Sequence, residues 1–144
     1  MSVTSQQVVT AARGWLGTRW QHQASVKGVA CDCVGLVAGV ARELGLLHAD
    51  LPPYERTADG ATLTRLCAQH MRSVPLPSLQ PGHVAVLRFE SYPTHLAVVG
   101  DYAHGGLSLI HASAPARRVI EHRLDDVWWV RLVTGFELPG VEYV

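Results

Sequence analysis

The run Gly28-Val29-Ala30-Cys31-Asp32-Cys33-Val34-Gly35-Leu36-Val37 sets two thiols one residue apart, where a loop enters an apolar helix of small residues. A thiol at a helix start meets unpaired backbone N–H groups and the positive end of the helix dipole, and both favour the thiolate. A thiolate nucleophile also needs a base to take its proton and a third group to orient that base. Two of the eight histidines stand in suggestive places. His95 begins one predicted strand and His111 ends the next, with the turn signal Asp101-Tyr102-Ala103-His104-Gly105-Gly106 between them. Pairing Ala97 with Leu109 and Val99 with Leu107 closes this hairpin around Ala103 and puts His95 directly opposite His111. Opposed residues have Cβ atoms roughly 4.5–5.5 Å apart, so one imidazole can hold the other. Side-chain alternation gives both histidines the face of Ala97, Val99, Leu107 and Leu109. A helix that carries Cys33 and packs on that face completes a Cys–His–His group suited to hydrolysing an amide.

The elements that must position these groups read as helices first and strands second, an α+β order. A helix is expected over about Thr4–Leu16, capped by Thr4 or Ser5, with Val8, Val9, Ala12, Trp15 and Leu16 in one stripe and Gly17 at its end. The next runs from Cys33 to Leu44 with Gly45 as its C-terminal glycine. This helix contains Gly35 and Gly39, each costing roughly 1 kcal/mol relative to alanine, which points to close packing against another element. The first turn of its period holds Cys33, not Cys31. Residues 18–30 and 46–60 read as loops, and Ala61–Arg72 as a shorter amphipathic helix. Five strands follow at His83–Phe89, His95–Tyr102, Leu107–Ala112, Arg118–Arg123 and Val130–Leu138, and Leu138–Val144 reads as a surface tail.

Bulk properties limit the alternatives. At 144 residues, 48% hydrophobic and 17% charged, residues 1–144 fit one globular domain. The formal net charge is zero, and no basic face marks a nucleic-acid partner. No apolar run approaches the ~20 residues of a membrane span. The first residues lack the basic and apolar regions of a secretory signal, so synthesis in the cytoplasm is expected. Three cysteines, Cys31, Cys33 and Cys67, make a disulfide framework improbable. Their spacing is a poor match to zinc-ligand patterns, so no metal or other cofactor is expected.

At these residues the chain resembles the NlpC/P60 family of cell-wall cysteine peptidases. The matching pieces are Ala12–Trp20, Asp32-Cys33-Val34-Gly35-Leu36-Val37, Pro81–Leu87, Thr94–Val99 and Leu109–Ser113. The resemblance implies a papain-like fold, with N-terminal helices packed on a five-stranded antiparallel sheet. It implies Cys33 as nucleophile, His95 as base and His111 as the residue orienting it, with Trp20, His22 and Asp32 at the oxyanion site or substrate cleft. The substrate implied is the peptidoglycan stem peptide, at the bond between D-glutamate and a diamino acid. The wording of Trp20–Ser25 and Cys31–Cys33 is most similar to the subgroup encoded with phage tails. That implies tail-protein partners and a place on the virion tail, acting at the bacterial wall.

Three positions depart from the family pattern: Val34 stands for serine, His83 for aspartate and Trp20 for tyrosine. They keep open an inactive relative, a structural or wall-peptide-binding tail component. Cys31 reads as a packed thiol, with a redox partner as the alternative. His48, His70, His83, His104 and His122 carry no expected role, and Trp128-Trp129 reads as closing the core.

Overall fold

Thr4 starts the first helix as expected, its hydroxyl accepting from the Gln7 N–H while the Gln7 side chain accepts from the Thr4 N–H. In this computed structural model, residues 2–47, 60–89 and 92–143 are described, with backbone alone at 60–62 and 92–94. In chain order the elements are β1 (Val3–Thr4), α1 (Ser5–Arg13), β2 (Arg19–Trp20), β3 (Ser25–Val26), β4 (Ala30–Cys31) and α2 (Cys33–Glu43). Then come α3 (Gly60–His70), β5 (Arg72–Val74), a 3₁₀ turn (Leu76–Ser78), β6 (Val84–Phe89), β7 (Tyr92–Asp101), β8 (Leu107–Ser113) and β9 (Arg118–Arg123). The chain ends with α4 (Asp126–Trp129), β10 (Leu132–Glu137) and β11 (Val141–Glu142). Most of the loop expected over 46–60 lies outside the described residues.

The five expected strands exist, but they form the middle of a nine-stranded sheet ordered β3-β4-β2-β9-β8-β7-β6-β10-β5. The four additions are two- and three-residue strands from segments read as loop or helix end, too short to carry a hydrophobic period. The C-terminal segment is not a surface tail. β11 pairs in parallel with β1, Leu138 is buried, and the Tyr143 hydroxyl donates to the Gly82 carbonyl while accepting from the Leu138 N–H.

The sheet buries both faces. Val84, Val86, Leu96, Val98, Ile110 and Ala112 point to α1 and α2 in the main core. Ala85, Leu87, Ala97, Val99 and Leu109 point the other way, into a smaller core with Leu124, Leu132 and Trp128. Helix α2 is the central element, with every residue from Val34 to Ala41 buried. Its glycines carry the close packing their cost implied. A Cβ on Gly35 would overlap the Ala24 carbonyl, and one on Gly39 would overlap the Trp15 ring.

Candidate active site

Cys33 begins α2, and the residue before it builds that start. Asp32 is the N-cap: Oδ1 accepts from the Gly35 N–H at 2.7 Å, and Oδ2 accepts from the Gln23 N–H at 2.7 Å. The buried carboxylate thus ties the loop before the helix to its first turn. Cys31, two residues back, is fully buried in β4 between β2 and β3. Cys33 as a residue is half-buried, whereas Cys67 is buried, but the Cys33 sulfur itself is enclosed. Backbone N–H groups of Leu96, Val34 and Cys33 itself point at its sulfur. They favour the thiolate, but burial outweighs them and the neighbouring Asp32 charge adds to it, so the thiol is pushed up to about 12. The thiolate expected from the helix start alone is not the resting form.

The hairpin that brings the histidines in is registered differently from the sequence expectation. Val99 pairs with Leu109 and Asp101 with Leu107, so the turn centres on His104 rather than Ala103. Consecutive left-handed glycines, Gly105 (φ 98°) and Gly106 (φ 81°), extend the turn and move the register by two residues. A shift of two keeps each side chain on its face. His95 and His111 are therefore diagonal rather than opposite, and they still meet: His95 Nε2 lies 2.7 Å from His111 Nδ1.

The face on which they meet is not the one expected. Helix α2 packs on the side of Leu96 and Val98, whereas His95 and His111 share the reverse face with Ala97, Val99 and Leu109. Cys33 meets β7 through the backbone of that strand rather than through the imidazoles. The β7–β8 ladder stops at Val98↔Ile110, and beyond it the Leu96 N–H, one residue from His95, turns to the Cys33 sulfur. Among the described residues, the sulfur's hydrogen-bond donors are these backbone groups rather than His95.

The imidazoles lie beneath an aromatic wall. Phe89 stands 5.4 Å from His95, Trp128 stands 5.2 Å from His111, and the two aromatic rings meet edge to face at 5.9 Å. The Arg131 guanidinium covers both. Burial under this wall lowers His95 to about 4 and, with the neighbouring imidazoles adding to it, His111 to about 2. Both rings are neutral at ordinary pH.

A third histidine continues the row. His111 Nε2 lies 2.8 Å from His122 Nε2, and His122 Nδ1 lies 2.9 Å from the Arg123 carbonyl. His122 carries no expected role from sequence, although strand parity marks it: β8–β9 pairing puts it opposite Leu109, on the face of His111. The three rings bond head to tail instead of converging, and no group of three or more His, Cys, Asp or Glu among the described residues could hold a metal ion.

Of the expected cleft residues, Trp20 is half-buried in β2 beside Cys31, and its backbone N–H donates to the Arg117 carbonyl. His22 is partly exposed, with Nδ1 3.8 Å from Asp32 Oδ2. His83 is buried, its Nδ1 accepting from the Gln80 N–H and its ring 4.4 Å from Tyr143. Trp128 closes the smaller core, whereas Trp129 is exposed.

No protein-family model and no curated sequence matches the chain. Solved structures do. NlpC2 from Trichomonas vaginalis superposes with a TM-score of 0.69 at 14% identity, over 96% of this chain and 48% of that one. The NlpC/p60 domain of the peptidoglycan hydrolase SagA gives 0.64 at 17% identity, over 94% of this chain and all of that domain. The peptidoglycan hydrolase RipB from Mycobacterium tuberculosis gives 0.60 at 17%, over 96% of this chain and 65% of that one. The chain spans less than half of the Trichomonas protein and 41% of a lipoprotein-like NLP/P60 protein from Staphylococcus aureus. The arrangement of helices on a curled sheet is therefore the α+β fold of the NlpC/P60 proteins.

Proposed function

We propose that the protein is a cysteine peptidase that cuts an amide bond in peptidoglycan stem peptides. The observation that carries this reading is the approach of the Cys33 sulfur to the Leu96 N–H, beside an imidazole tied at Nε2 to His111. With Nε2 engaged, Nδ1 of His95 is the nitrogen left to serve as base. Because thiol and imidazole are both neutral at rest, proton transfer from Cys33 to His95 accompanies attack on the carbonyl. As the sulfur attacks, the N–H groups of Cys33 and Val34 that point at it in the resting protein pass to the attacked carbon's oxygen, His95 returns the proton to the departing amine, and water cleaves the thioester. Asp32 acts through the backbone by fixing this first turn, while Trp20 and His22 flank the substrate.

The named hydrolases of the same fold support the substrate class, and one further structure of the fold is named an N-acetylmuramoyl-L-alanine amidase, from Bacteroides uniformis. Within that class, the bond between D-glutamate and a diamino acid and a role in a phage tail rest on the sequence resemblance. Purified sacculi incubated with wild type and Cys33→Ala test the proposal. New free amines are expected from wild type alone. Equal absence of release would overturn it and favour a wall-peptide-binding module, a reading that the raised thiol and the unengaged Cys33–His95 pair also suit.

A further inference from the structure

The histidine row ends on a group that can only accept. A backbone carbonyl has no proton to give, so the 2.9 Å contact to Arg123 requires N–H at His122 Nδ1. In the neutral form of the His122 ring, a proton on Nδ1 leaves the lone pair on Nε2, which then accepts, so in that form His111 holds its proton on Nε2. His111, kept neutral by burial, is left with a lone pair on Nδ1, and this accepts the Nε2–H of His95. The last consequence falls on His95: its proton is on Nε2 and its lone pair on Nδ1. One carbonyl thereby sets three tautomers in sequence across β9, β8 and β7.

We propose that His122 is a positioning residue that holds His111 and His95 in the tautomers needed for His95 Nδ1 to act as base. The proposal rests on the peptidase reading for its effect on rate, but the wiring itself is a property of the resting protein. Trp128 supports it, with its ring 4.5 Å from His122 and 5.2 Å from His111, which bars the rings from turning to other partners. Without His122, the buried His111 Nε2–H has no acceptor, and the opposite tautomer becomes competitive. That tautomer donates from Nδ1 to His95 Nε2 and moves the His95 proton to Nδ1, where it blocks proton transfer from the thiol.

Ring-nitrogen NMR of wild type, His122→Phe and His122→Gln tests this, alongside steady-state cleavage of a stem peptide. Wild type should show Nε2–H at His95 and His111 and Nδ1–H at His122. In His122→Phe the His95 and His111 signals should shift toward the other tautomer. Its kcat should fall roughly 10- to 100-fold with KM unchanged, less than the roughly 10⁴-fold that a forced wrong tautomer costs a serine triad. His122→Gln, whose side-chain carbonyl can accept the His111 Nε2–H, should restore the tautomers and most of the rate. Nδ1–H at His95 in wild type would overturn the proposal, as would unchanged His95 and His111 signals in His122→Phe. So would a loss of rate in His122→Gln equal to that in His122→Phe. If wild type cleaves no stem peptide, the peptidase reading falls while the ring-nitrogen spectra still decide the wiring.

Discussion

Strands β6, β7 and β8 offer chemically different surfaces on their two sides. Toward α1 and α2 they present Val84, Val86, Leu96, Val98, Ile110 and Ala112, a wholly apolar layer. On the reverse they begin apolar, with Ala85, Leu87, Ala97, Val99 and Leu109, and end in buried imidazoles under Phe89 and Trp128. The first surface seats the helix that carries the thiol, and the second carries the imidazole proposed as base. The thiol side comes up to the histidine strand where the β7–β8 ladder ends and the Leu96 N–H is turned to the sulfur. Stability and chemistry are thus divided between the sides of one sheet, and substitutions on either side should separate them.

The largest effect is expected on the reverse side. His95→Ala should abolish measurable amide cleavage, a loss of about 10³-fold or more, while the protein keeps its circular dichroism spectrum. Ile110→Ala, on the helix side, should do the opposite. It should cost about 2–5 kcal/mol of unfolding free energy in urea and leave the rate of the remaining folded protein near wild type. A large loss of rate there, with stability intact, would break the division.

Acid should act through the reverse side as well. His95 and His111 are held neutral in the fold but free to protonate when unfolded, so the unfolded chain binds more protons below pH 6.5. Their contribution is fully present above pH 6.5 and drains as pH falls, down to about 4 for His95 and about 2 for His111. A drop from 6.5 to about 4 corresponds to about 3 kcal/mol for His95. Urea midpoints measured from pH 7 to 4 should fall, and the fall should shrink in His95→Phe. The smallest effect is expected at the back of α2. Gly39→Ala forces the Trp15 ring aside and should cost about 1–3 kcal/mol with little change in kcat.

Much of this was legible in the residues themselves. The periods around Val8 and Leu36 give the two helices, and the small residues at 35 and 39 announce close packing. The hairpin's side-chain parity survived an error of two in register, because only odd slips exchange faces. Which face α2 covers was not legible, since both sides of these strands are apolar over most of their length and alternation cannot rank them. The strands at 19–20, 25–26, 30–31 and 72–74 are defined by partners distant in sequence, not by pattern. The thiol's raised proton affinity depends on burial, which outweighs the local helix-start effect that the sequence displays.

Cys33 is the one thiol of three proposed as nucleophile. Cys31 and Cys67 are buried, and Cys33 alone is partly open. Stepwise alkylation with iodoacetamide at alkaline pH, with peptide mapping and amine release followed on the same samples, tests this directly. The account expects activity to fall in proportion to label on Cys33, with Cys31 and Cys67 unlabelled in the folded protein. Cleavage that persists after Cys33 is fully alkylated would contradict it.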